Sequence, residues 1–373
     1  MDIQVASKHL IAQVATSLDV DGREHLVIVI KGSWRIPEEG QRPRPIAPSP
    51  LSVSDAFVGE PGLSALLYGD DFARYKPRCD VLFDAYAHAP DGQEVQEITV
   101  ACQVGPMKKG IKVVGPRQWR KLMGIYTLTK PEPFTRMPLH YGHAFGGART
   151  YQQGWGENRQ TMTETMLANP AGIGWGGKRT GGDLDGESAP NLQALGETIS
   201  SPTGNYTPVA LSAVGRHWTP RSDHAGTYDK HWEENVCPFL PEDFDEQHNQ
   251  CAAADQQIAY PGGGETVILR NMMAGRPDVR FTLPRLDDLQ VRILRTDYST
   301  EILAPAVDTL FFETEKGSFS AIWRTSVPIR RRIQEFLVLA VGPVDPAWWQ
   351  RQRAGAGGCH GCGHGMDDNE GSA

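Results

Sequence analysis

The chain has 373 residues, with 45 acidic against 37 basic side chains and a formal net charge of −8. That balance offers no basic footprint for nucleic acid. The 40 glycines and 27 prolines are about 18 % of the chain against an average near 12 %, which excludes a helical bundle or a coiled coil as the main architecture.

Hydrophobic residues make up 39 %, enough for a core of ordinary size. Asp2, Lys8 and Asp19 interrupt the N-terminal stretch, so it does not read as an export signal. The apolar run Leu26 to Ile30 is far too short to span a bilayer. Four of the six cysteines, Cys79, Cys102, Cys237 and Cys251, are scattered, and Cys359 and Cys362 sit together near the end. A cytoplasmic protein with reduced thiols and no membrane partner is the expectation.

In chain order, Val14 to Val20 and His25 to Ile30 read as a β-hairpin around Asp21-Gly22, a two-residue turn signal. The run Leu26-Val27-Ile28-Val29-Ile30 does not alternate, so this strand should be buried on both faces. The proline-dense stretch Pro37 to Pro50 should be a surface connection without regular pairing. Lys76-Pro77-Arg78-Cys79-Asp80 sets opposite charges before the apolar strand Val81 to Ala87, which suits an ion pair at a strand entrance. Ile98 to Val104 and Gly110 to Val114 form a second hairpin candidate around Lys108-Lys109-Gly110. From Tyr151 to Asn205 Gly, Thr, Asn, Glu and Gln dominate around Gly172-Ile173-Gly174-Trp175-Gly176-Gly177, predicting a long loop that buries little of its own.

Leu240 to Gln257, with early Pro241 and acidic first turns, is the best helix candidate. Strand signals follow at Thr266 to Leu269, Val279 to Leu283, Leu289 to Leu294, Asp308 to Glu313, Ser318 to Arg324 and Phe336 to Val341. The expected fold is mainly β: one large antiparallel body over residues 1–350, a sandwich or a barrel. It has few helices and an irregular region over residues 150–235. Residues 351–373 read as a disordered Gly/Cys/His tail.

No nucleophile elbow, Walker A loop or dinucleotide fingerprint occurs. His140 and His143, within Met137 to Gly147, suit either metal and proton chemistry or a packed aromatic turn. Trp218, Arg221, Tyr228, Asp229 and Trp232 suit a partner-binding platform, since Trp, Tyr and Arg lead interface hot spots. They suit equally a loop filled with aromatic bulk in which Arg221 pairs with Asp229. In the tail, Cys359, His360, Cys362 and His364 are soft or borderline ligands suited to Zn²⁺. All four lie in one hexapeptide, whereas structural zinc sites use two separated ligand pairs, and no other cofactor is expected.

Several segments together resemble the domain-of-unknown-function family 2169. They are Lys76 to Asp80 with Ala87-His88-Ala89-Pro90, then Gly115-Pro116-Arg117-Gln118-Trp119, Met137 to Gly147 and Asn169-Pro170-Ala171-Gly172. They continue with Trp218 to Arg221, Ala225 to Asp229 with Trp232, and Leu240 to Asp245. Cys79 stands where a hydroxyl residue is commoner in the family, and Pro116 where an aspartate is usual. The resemblance implies a cytoplasmic adaptor or chaperone, encoded beside type VI secretion effectors, that helps load a toxin onto the spike. The other reading is a β-fold hydrolase that uses His140, His143 or Asp229.

Overall fold

The computed structural model describes residues 1–178 and 183–355. It is mainly β, with 40 % strand and 10 % helix in several mostly antiparallel sheets. Two α-helices occur among the described residues, Lys230–Asn235 and Pro346–Arg353.

The largest sheet has seven strands. Its order is Gln257–Ile258, Cys79–Asp84, Ala306–Glu313, Ser318–Pro328, Glu24–Arg35 and Leu10–Leu18, with Arg44–Ile46 paired to the end of Glu24–Arg35. Cys79–Asp84 runs parallel to Ala306–Glu313, and the other pairs are antiparallel. A five-stranded antiparallel sheet runs Leu192–Ala194, Met107–Val114, Glu97–Val104, Thr266–Arg270, Asp278–Thr282. A four-stranded sheet runs Asp2–Val5, Phe336–Val341, Val291–Arg295, Thr300–Leu303, its first pair parallel.

One apolar cluster joins all three sheets. Leu26, Ile28 and Ile30 meet Val100, Val104 and Ile111 of the second sheet and Val291, Ile293 and Leu339 of the third. The alternate residues Val27 and Val29 face the other way, against Leu51 and Ile322. Both faces of Glu24–Arg35 are therefore covered, which is why its sequence is a continuous branched run. The body is three sheets around a shared core, not one closed barrel.

Several local expectations need correction. The first hairpin turns through residues 19–23, not two residues. The Asp19 carboxylate accepts from the Asp21 and Arg23 backbone N–H groups, and this widens the loop. The second hairpin turns at Gly105-Pro106, where Gly105 takes a φ of 56°, so Lys108 to Gly110 lie inside a strand. The proline-rich connection does pair: Pro45 sits opposite Trp34 on an edge, where a missing N–H is tolerated.

The glycine-rich middle also buries more than its composition suggests. Trp175, Leu184, Ala189 and Ile199 pack on Trp119 and Phe145 as a satellite core, and Leu192–Ala194 completes the second sheet. Asn169, fully buried, donates to the Tyr141 and Phe145 carbonyls and draws the chain tight there. A Cβ on Gly146 would lie 2.2 Å from the Asn169 carbonyl oxygen, so glycine is required at that crossing.

Leu240 to Gln257 is not an α-helix. It holds two 3-10 turns, Glu246–Asn249 and Ala254–Gln256, and between them two backbone donors are taken from outside the segment. The N–H groups of Cys251 and Ala252 reach the Asp80 carboxylate at 2.9 and 3.1 Å rather than carbonyls four residues back.

Candidate functional site

Asp80 is the anchor from which the surface loops are hung. It is 0 % exposed, yet its carboxylate is fully partnered. Lys76 Nζ donates to it at 2.9 Å, Gln250 Nε2 at 2.6 Å, and the two backbone N–H groups and the Cys251 thiol, at 3.4 Å, complete the set. Burial alone would raise its pKa, but the Lys76 charge and these donors hold it below the ordinary value. Lys76 also donates to Thr309 Oγ1 at 3.0 Å, on the neighbouring strand. The ion pair expected at the strand entrance is thus present and fixes residues 250–252 to the sheet.

The five residues suggested for partner binding divide into two groups. Trp218 and Arg221 are buried, at 7 % and 6 % exposure. The Trp218 ring meets Tyr141 edge to face at 5.5 Å. Arg221 donates to the His248 and Val214 carbonyls, both at 2.8 Å, and so clamps residues 214–221 to the Glu246–Asn249 turn. Its guanidinium is not paired with Asp229. Asp229 instead caps the helix Lys230–Asn235, accepting from the Trp232 N–H at 2.9 Å.

Tyr228 and Trp232 form the outer group. Tyr228 is 56 % exposed and meets the Trp232 ring at 4.8 Å. Trp232 Nε1 donates to the Phe239 carbonyl at 2.9 Å, and Phe239 is itself 45 % exposed. The paired Tyr228 and half-buried Trp232 rings, with Phe239 tied to them through its backbone and its ring over Gly22, form an aromatic ledge next to the capped helix.

Beside the ledge lies a cavity of about 270 Å³ that includes Tyr228, Leu240, Phe244, Arg74, Arg216 and Arg221 in its lining. Its rim is charged. Arg216 makes a fork to Asp55 at 3.0 and 3.1 Å and reaches Asp70, while Arg74 pairs with Glu246. Burial pushes the Asp55 carboxyl up, but Arg216 more than offsets this and holds it below its ordinary value. The sequence reading missed these rim residues. The Asp70-Asp71 doublet directly after an apolar segment was the available signal; nothing local tied Arg216 to it.

His140 and His143 do come together, with rings 5.0 Å apart. His140 Nδ1 accepts from the Gly142 N–H, and His143 shares a hydrogen bond with Asn191 at 3.0 Å, so both are engaged in a turn. Burial, and then the neighbouring His143, pull the pKa of His140 down to about 4. The four described cysteines are free thiols. Among the described residues no group of three or more His, Cys, Asp or Glu is placed to hold a metal ion. Cys359, His360, Cys362 and His364 lie outside the described residues. No described helix is long and apolar enough to cross a membrane.

No curated protein and no solved structure matches the chain. A family described as "Uncharacterized protein conserved in bacteria (DUF2169)" matches residues 21–324. That span takes in the Asp80 anchor, the Arg221 clamp and the aromatic ledge, and the chain belongs to this family.

Proposed function

We propose that the protein is a non-catalytic cytoplasmic adaptor that holds a secreted effector of a type VI system and presents it to the spike. The observation that carries this reading is the ledge of exposed Tyr228 and Phe239 with half-buried Trp232 between them, beside a buried hydrogen-bonded clamp. Rigid aromatic side chains give large contact area at small entropic cost, which is how interface anchors work. The ion pairs around the neighbouring cavity supply a polar rim, which suits an interface of about 1,200–2,000 Å² that must later release.

The test uses the effector encoded beside the gene. Replacing Tyr228 and Trp232 together by alanine is expected to weaken effector binding by about 2 kcal/mol or more, roughly thirtyfold, in calorimetry. The same protein should lose only about 1 kcal/mol of stability, mainly from the lost Trp232 Nε1 bond to the Phe239 carbonyl. Deleting the gene should lower secretion of that effector while other spike cargo still leaves the cell. Normal secretion in the deletion strain, or unchanged binding by the double variant, sinks the proposal.

A further inference from the structure

A second cavity of about 410 Å³ also has Arg221 in its lining, the one residue shared by the two among the described residues. Its volume falls in the range of about 300–1,000 Å³ typical of small-molecule sites. The space exists because small and ring-shaped side chains meet there. Ala252, Ala253 and Ala254 form one wall, and Val209 and Pro220 form another.

One end of the cavity is polar and built. Lys109 is only 9 % exposed, and its amine is held by Asp255 Oδ1 at 2.9 Å and Gln256 Oε1 at 2.8 Å. Gln256 is fixed in turn by donating to the Val81 and Leu211 carbonyls. Tyr141 lines the same cavity at 4 % exposure, its ring locked against Trp218. Its hydroxyl has no hydrogen-bond partner among the described residues. Burial raises the pKa of this phenol, so it keeps its proton and can donate. A hydroxyl on an otherwise buried ring that opens onto a largely apolar space without a protein partner favours a ligand that brings an acceptor.

Charge narrows the ligand further. The Lys109 ammonium is already neutralised by Asp255. An ammonium would be set against Lys109 and Arg221, and a carboxylate, though drawn by Arg221, would face Asp255 and find Arg221 Nε and Nη1 already engaged by carbonyls, so each ion carries a desolvation cost.

We propose that this cavity binds an uncharged ligand with an apolar body and a carbonyl or amide head, whose oxygen accepts from the Tyr141 hydroxyl. Both a free small amide and an apolar segment of another chain carry this chemistry. The site does not depend on the adaptor reading, since it includes none of the ledge residues.

Calorimetry with acetanilide, benzoate and benzylammonium tests it on the full chain at neutral pH. Acetanilide is expected to bind with a Kd of about 1 mM or tighter, and the two ions at least about tenfold more weakly. Tyr141→Phe keeps the ring on Trp218 and should weaken acetanilide about tenfold without changing the melting temperature. Ala253→Phe fills the cavity and should abolish binding.

The dipeptide amide acetyl-Phe-Leu-NH₂ separates the two sources. If it binds about tenfold or more tighter than acetanilide, the occupant is a chain segment; otherwise it is a free small molecule. The proposal falls if neither amide binds up to about 10 mM. It also falls if benzoate matches acetanilide, or if Tyr141→Phe leaves acetanilide affinity unchanged.

Discussion

Asp80 keeps its charge at full burial because five donors, the Lys76 ammonium among them, converge on two oxygens. Asp80→Asn removes the charge and leaves the Lys76 ammonium buried without its counterion. Urea unfolding should then show a loss of about 3–5 kcal/mol. The double variant Lys76→Met/Asp80→Asn should recover part of that loss, since it removes the unpaired ammonium while the amide oxygen still accepts from the residue 250–252 donors. His140 gives a pH signature. Its ordinary pKa of 6.5 falls to about 4 in the fold, so between those values the unfolded chain takes up a proton that the native state refuses. Stability from this group is present above 6.5 and lost as pH falls toward 4, by about 1–3 kcal/mol. His140→Asn can still accept from Gly142 N–H, and melting at stepped pH should show a shallower acid slope in that variant. Trp218 and Trp232 separate packing from display: Trp218→Ala should cost about 3–5 kcal/mol of stability, as loss of a buried Trp does. A small loss there would mean that the clamp is looser than its contacts imply.

Elements whose pattern is decided by their own side chains were readable. The runs at residues 25–30, 308–313, 318–324 and 336–341 all lie within strands, because β-branched and aromatic residues suit a pleated, covered surface. Elements decided by distant groups were not. Leu240 to Gln257 had the composition of a helix but lost two backbone donors to Asp80, a residue over 170 positions earlier. The candidate site was half legible for the same reason. Trp218, Tyr228 and Trp232 stand out by residue type, whereas Asp55, Asp70 and Arg216 matter only through a fold that brings them together. The glycine-rich middle was misjudged because glycine content hides close packing. The short parallel pair Phe145–Gly146 and Ile173–Gly174 ties that region to the body. Gly146→Ala would force its Cβ into the Asn169 carbonyl, and a loss of about 1–3 kcal/mol is expected. Limited proteolysis should detect it as faster cleavage within residues 147–178.

At the scale of the molecule, one apolar cluster spans the facing sides of all three large sheets, so none of them buries that side alone. Unfolding in urea should be a single transition, with far-UV dichroism and tryptophan fluorescence coinciding. Two separated transitions would show that the sheets unfold independently. The parallel pairing of Cys79–Asp84 with Ala306–Glu313 also sets a timetable for biosynthesis. Lys76 and Thr309, joined by a hydrogen bond in the finished protein, are 233 residues apart. At bacterial-to-eukaryotic translation speeds of about 5–20 residues per second, the lysine leaves the ribosome on the order of 10–50 s before its partner exists. For that interval the apolar strand beside it has an open edge, and the buried charges have only each other and water. The nascent chain should therefore depend on a general folding helper such as a ribosome-bound holdase, and expression at lowered temperature should raise the yield of folded protein.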